Sequence, residues 1–247
     1  TSYIMIKKFF DKIRPSFEEN GKLHAFHSVF EGMETFLLVP HTTSRCGASI
    51  HDAIDSKRIM SFVVIALLPA LFFGMYNIGY WNAQYSHIDA SALSMFFYGL
   101  AVTLPKIIVS YAVGLGIEFI VAQWKKEEIQ EGYLVTGLLI PMIVPVGCPL
   151  WMLALAVAFS VIFAKEVYGG TGMNIFNPAL VARAFLFFAY PTSMSGDAVW
   201  LSKDPVLGLG GQVQDAVTMA TPLGEAAAGQ PMSFQFGDMV SGLMPGS

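Results

Sequence analysis

A carboxylate inside an apolar run is a candidate for chemistry before anything is known of the chain around it. Glu118 lies seven residues before Lys125, so at about 1.5 Å per residue it sits ~10 Å inside a helix end. Burial penalises its charged form and an approaching cation relieves that penalty, so such a group can take up Na+ or a proton reversibly. The competing reading is that it snorkels, or pairs with a base such as Lys165 or Arg183. Gly114 and Gly116, about one turn away, either permit close helix packing or let a flat ring approach the backbone. Arg183 stands in a second apolar run, where a guanidinium needs a partner: a phosphate, a carboxylate or a flavin carbonyl. After Lys165-Glu166 comes Gly169-Gly170-Thr171-Gly172, a turn whose amides suit an anion or simply make a tight connection. Asp215, Thr218 and Thr221 put two hydroxyls beside an acid, an arrangement common in loops. His41, Cys46 and His51 recur at steps of five, but three such residues without a fourth ligand predict no metal centre.

The composition says where these groups reside. Of 247 residues, 54% are hydrophobic and 13% charged, against about 25% charged in a soluble domain. The chain is therefore a membrane protein. A net charge of -4 without a basic tract excludes nucleic acid as a main partner. Cys46 and Cys148 are too few and too far apart for a disulfide scaffold or an iron–sulfur centre. No G-x-G-x-x-G, P-loop or H-E-x-x-H occurs, so nucleotide chemistry and its energy must enter from another chain.

Five apolar segments must position the candidates, and together they predict an all-α polytopic membrane protein. Residues 59–80 carry no charge and are long enough to span hydrocarbon. Residues 90–124 exceed one span and contain Pro105, which is suited to opening a helix. A span over 105–124 is expected, with 91–102 lying along the outer interface. Residues 133–147, with Pro141 and Pro145, and 149–164 are short, which predicts broken or half helices, two ordinary spans in a thin region being the alternative. The fifth segment is 177–191.

Eight of the 14 basic residues precede the first span, which sets the N-terminus in the cytoplasm. Five crossings then place residues 192–247 outside, where Lys203 faces Asp197, Asp204, Asp215, Glu225 and Asp238. The expected divisions are 1–56, cytoplasmic and amphipathic; 57–191, transmembrane; and 192–247, an outer loop. Within the first, Leu23, Phe26, Phe30, Met33 and Leu37 share one helix face. That face either packs on membrane or bundle, or covers the mouth of a site for a lipid-soluble substrate. Thr1 and the final SGLMPGS read as the ends of a fragment.

Placed beside these segments, the stretch from Asp215 to Thr221 resembles the D-x-x-[ST]-G-A-T signature that a Mg-dependent flavin transferase modifies. Asp215, Thr218, Ala220 and Thr221 match it, and Met219 stands where glycine is usual. KRIM (57–60), ALLPALFFGMYN, EGYLVTGLLIP, AKEVYGGTGMNIFNPAL and RAFLFFAYP extend the likeness over nearly the whole chain. The sequence resembles the B subunits of the Na+-translocating NADH:quinone oxidoreductases, and the related D subunits of Rnf complexes. The N-terminal segment and RAFLFFAYP favour the former.

That resemblance implies one membrane subunit of a six-subunit redox-driven sodium pump in the bacterial inner membrane. FMN would be joined through its phosphate to Thr221 by a periplasmic transferase, and riboflavin held non-covalently. Electrons from NADH would pass to a membrane quinone, ubiquinone or menaquinone. By position Glu118 corresponds to an intramembrane acid linked to sodium uptake. Gly114 and Leu115 correspond to a glycine pair near the quinone site, the second glycine being replaced here. Family members have about ten spans, so a C-terminal half is expected beyond residue 247. An Rnf-type relay and a non-redox secondary transporter are the competing readings.

Overall fold

A computed structural model describes residues 11–13, 56–125, 132–195, 197–202, 222–229 and 235–242. Among them the regular structure is entirely helical. The main elements are α1 (Ser56–Ser86), α2 (Ala92–Lys125), α3 (Tyr133–Ile143), α4 (Leu150–Ser160) and α5 (Pro178–Ala189). The short helices α6 (Pro191–Met194), α7 (Pro222–Ala227) and α8 (Phe236–Ser241) follow. Three stretches are long and apolar enough to cross a membrane: 59–86, 92–125 and 150–168. Helices α3 and α5 are apolar but shorter.

The first span is six residues longer than expected, reaching Ser86. The second expectation fails more instructively. Residues 92–125 form one unbroken helix with Pro105 inside it, so 91–102 do not lie along an interface. Proline removes one backbone hydrogen bond, and close packing with α1 compensates for it. A β-carbon on Gly79 would overlap the Met95 carbonyl, and one on Gly99 would overlap the Met75 carbonyl. These reciprocal glycines bring the two backbones into contact on the N-terminal side of the proline, which is how helices associate in lipid. Tyr98, Val102 and Ala83 close the contact as a buried cluster.

Gly99→Ala should therefore destabilise the protein by about 2 kcal/mol or more, since overpacking here meets backbone and not a movable side chain. Gly116→Ala, on the same helix with nothing within 4 Å of the added carbon, should stabilise by ~0.5–1 kcal/mol. Thermal melts of the two detergent-purified variants test the pair. Equal shifts would remove the glycine contact as the reason for the unbroken helix.

The two short segments divide. Helix α3 ends at Ile143, with Pro145 in the loop beyond it. At 11 residues it rises only ~16 Å, a short element as the sequence implied. Helix α4 instead continues through a π-type turn (Val161–Lys165) and a 3-10 turn (Glu166–Tyr168). It thereby becomes a 19-residue stretch of full crossing length, which corrects the half-helix expectation for 149–164. An irregular ladder, wider rings followed by tighter ones, keeps the chain helical past the point where the apolar run stops. Helix α5 begins at Pro178 with the Asn177 side chain accepting from the Ala179 amide at 2.9 Å, a regular N-cap with proline at N1.

Contacts at the two ends of the bundle fix how these elements run. At one end, the Lys125 ammonium donates to the Glu166 carbonyl at 3.2 Å and pairs with its carboxylate at 3.7 Å. Gly132 and Thr171 meet at this same end. At the other, the Asn82 amide donates to the Ser202 carbonyl at 2.8 Å and the Gly147 amide to Val199 at 2.8 Å. Helices α1 to α5 therefore alternate in direction, and residues 197–202 lie across the Asn82 end. The core is shared by α3, α4 and α5 through Tyr133, Ile140, Leu153, Val157, Ala182 and Leu186.

Candidate functional site

Helix α2 carries the chemistry on one stripe. Lys106, Ser110, Gly114, Glu118 and Ala122 recur at steps of four, and all are buried. Residues four apart lie over one another on a helix, so this row faces the interior along its whole length. Each member meets a different neighbour. The Lys106 ammonium donates to the carbonyls of Pro145, at 2.9 Å, and Val146. Helix α3 ends before residues 144–146 can join its ladder, so these carbonyls need donors from outside it. Ser110 donates to the Gly137 carbonyl at 2.9 Å, and its own carbonyl accepts from the Tyr133 hydroxyl at 2.8 Å.

The flat ring that approaches Gly114 is the chain's own Tyr133. A β-carbon at Gly114 would overlap it, and Gly137 on α3 packs against both Tyr133 and Tyr111. Leu115, the next residue, is partly buried against the α3–α5 core. Glu118 and Lys165 form a direct ion pair, each side chain only 4% exposed. Of the two bases considered from sequence, Lys165 is the partner. The second carboxylate oxygen, Oε2, is buried and makes no hydrogen bond. The Lys165 ammonium also lies 6.0 Å from the centroid of the Tyr133 ring, at the outer limit of a cation–π contact. Two ions taken from water are a costly arrangement that pairing only offsets, whereas removing one partner strands the other at about 3–5 kcal/mol.

Arg183 goes elsewhere. It is exposed on α5, on the face that also carries Leu180, Phe187 and Phe188, and no described residue pairs with it. Asp215, Thr218, Ala220 and Thr221 lie outside the described residues, as do His41, Cys46, His51 and the N-terminal stripe of Leu23, Phe26, Phe30, Met33 and Leu37. No cluster of metal-ligating side chains occurs among the described residues.

Sequence reasoning missed Lys106, which it placed at a span boundary; the structure puts it well inside α2. The signal was available, because residues 106, 110, 114, 118 and 122 keep the i+4 spacing through Pro105's neighbourhood. It also missed a cavity of about 200 Å³ between α1, α2 and α3, lined by Met75, Trp81, Val102, Lys106, Met142 and Trp200.

Among the described residues, a helical bundle with three membrane-length helices, short helices packed between them and a buried charged pair defines a polytopic membrane protein. Residues 43–247 match the model of the NQR2, RnfD, RnfE family, and the chain belongs to that family. It is 39% identical to the B subunit of the Na(+)-translocating NADH-quinone reductase of Pseudoalteromonas atlantica, over 91% of this chain and 59% of that protein. The corresponding protein of Neisseria meningitidis serogroup A is 38% identical over 98% of this chain and 65% of its own length. That of Stutzerimonas stutzeri is 40% identical over 82% and 56%. The chain thus spans about six-tenths of the length of the curated relatives it matches.

Proposed function

We propose that this chain is part of the B subunit of a sodium-translocating NADH:quinone oxidoreductase, relaying electrons through flavin to a membrane quinone while sodium crosses. The observation that carries the reading is Glu118, a carboxylate buried among membrane-length helices with one oxygen on Lys165 and the other making no hydrogen bond. A cation is the ligand such an oxygen suits, because burial makes an uncompensated charge costly. Family membership supplies the redox setting.

In this reading the chain passes five times between the two faces, through the three membrane-length helices and through the short helices α3 and α5 together with their flanking turns, with the Lys125 end in the cytoplasm and the Asn82 end outside. The basic N-terminal residues and the acidic tail support that orientation. Thr221 then lies in the outer loop, within reach of a periplasmic flavin transferase that joins FMN to its hydroxyl through the phosphate. Bound FMN supplies electron transfer, and riboflavin is a second, non-covalent carrier. The cavity beside Trp200, with apolar and indole walls and Asn77, Thr103 and Lys106 as its polar lining, is the candidate place for the flat ring of such a carrier. The protein's part is to orient such a ring and set the charge around it. Gly114 and Leu115 are the quinone-site candidates and Arg183 is the candidate partner for an anion or flavin on the exposed face of α5. NADH oxidation belongs to other subunits of a six-subunit complex.

Purifying the assembled complex with the full-length subunit and assaying NADH-driven quinone reduction against sodium concentration tests this. Sodium-stimulated quinone reduction is the expected result. A complex active only with ferredoxin would make it an Rnf-type relay, and one with no flavin would leave a secondary transporter.

A further inference from the structure

The proposed role of Glu118 leaves Lys165 without one, although the carboxylate's only described partner is that lysine. An ammonium and a sodium ion compete for the same negative charge, and one buried carboxylate does not neutralise both. We propose that Lys165 is a tethered competitor for the transported cation: it holds Glu118 while sodium is away and must leave when sodium binds, thereby setting the sodium affinity. This rests on the reading of Glu118 as a sodium-binding group.

Three features of the site support an exchange and not a fixed pair. The Oε2 atom of Glu118 is buried without a hydrogen bond, so a cation has an oxygen to approach before the lysine has gone. The Tyr133 ring, 6.0 Å from the ammonium, offers a second place for the displaced charge. Lys165 closes a π-type turn, an element that accommodates an irregular ladder and recurs where side chains must be presented to a site. Its backbone is held on the far side: the Lys165 carbonyl accepts from Gly170 at 3.0 Å, and Gly170 has φ 97°, a conformation glycine adopts freely. The neighbouring Lys125–Glu166 pair fixes the adjoining residue. Only the Lys165 side chain has to move.

The test uses the assembled complex carrying the full-length subunit, with sodium chloride titrated against choline chloride. In Lys165→Met the competitor is gone, so half-saturating sodium for quinone reduction should fall about tenfold or more, with covalent flavin unchanged. The melting temperature of that variant should drop in choline and recover in sodium, because a lone buried carboxylate then needs the ion. Lys165→Gln, which keeps a donor toward Glu118, should show the same fall, and Lys165→Arg should behave as wild type. Unchanged or raised half-saturation in either uncharged variant overturns the proposal. So does failure of both to assemble at saturating sodium, which would make Lys165 structural. A Glu118→Gln complex with wild-type sodium dependence overturns the underlying reading and this one with it. A shifted Glu118→Gln beside an unshifted Lys165→Met overturns this one alone.

Discussion

Thr221→Ala should abolish the ultraviolet fluorescence of the full-length subunit in a denaturing gel after co-expression with its flavin transferase. The expected change is from a bright band to none. A phosphoester needs a hydroxyl oxygen on the protein, and alanine has no atom to supply it. Thr221→Ser, which keeps that oxygen, should stay fluorescent. On the proposed reading specificity comes from the motif, which Asp215 and Thr218 match and in which Ala220 is the small residue before the modified hydroxyl. Met219 is the one place where a larger side chain replaces the usual glycine, so Met219→Gly should raise the modified fraction if that bulk slows the transferase. Fluorescence that persists in Thr221→Ala would move the attachment to another hydroxyl, Thr218 being the nearest in sequence. A dark wild-type band would remove the covalent-flavin reading altogether.

Much of the scaffold was legible because membrane segments are written in long apolar runs, and a run of 22 uncharged residues has few other uses. The places where the sequence misled share a cause. Pro105 reads locally as a helix start, but what keeps α2 continuous is a contact between Gly99 and Met75, and between Gly79 and Met95. Those residues are 24 and 16 positions apart, and no window along the chain sees them together. The same holds for α4, whose apolar run stops near Ala164 while the helix goes on to Tyr168. Backbone groups at membrane depth must be satisfied whatever the side chains are, so the ladder continues in irregular form, first wider and then tighter.

Among the site residues, Glu118 was visible from its type and depth alone. Its partner was not, since Lys165 and Arg183 are both cationic and both stand beside apolar runs. Only folding separates them, turning Lys165 inward and leaving Arg183 on the exposed face of α5. Lys106 was hidden by the misread helix boundary. Once α2 is one helix, Lys106 stands three turns from Glu118 on the same buried stripe, near the opposite end of the bundle. The row therefore begins with a cation bound to carbonyls and runs to an anion bound to a cation. Between them lie only Ser110 and Gly114, both occupied by contacts with α3.

Glu118 itself gives the second large effect. Glu118→Ala should weaken the sodium stimulation of turnover by about an order of magnitude or more, equivalent to at least ~1.4 kcal/mol of lost cation binding, while in-gel flavin fluorescence is unchanged. Alanine alone is an ambiguous probe, because it strands the Lys165 ammonium in the bundle wall at a cost of about 3–5 kcal/mol. Two companions separate binding from stability. Glu118→Gln keeps an acceptor for Lys165 and nearly the same volume, so the fold should hold while the charge that attracts sodium is gone. Glu118→Ala with Lys165→Met removes both charges, and an apolar replacement of a buried pair is often neutral or stabilising. All three should lose sodium stimulation, whereas Glu118→Ala should melt lowest, because Glu118→Gln keeps a hydrogen-bond acceptor for Lys165 and the double variant leaves no buried charge. Sodium titrations of quinone reduction, run beside thermal melts and in-gel flavin fluorescence, distinguish these outcomes. Loss of stimulation in Glu118→Ala alone, recovered in the double variant, would mean that the carboxylate serves only to neutralise Lys165. Recovery of that kind cannot come from a sodium-binding group, because the double variant has no carboxylate there to bind it.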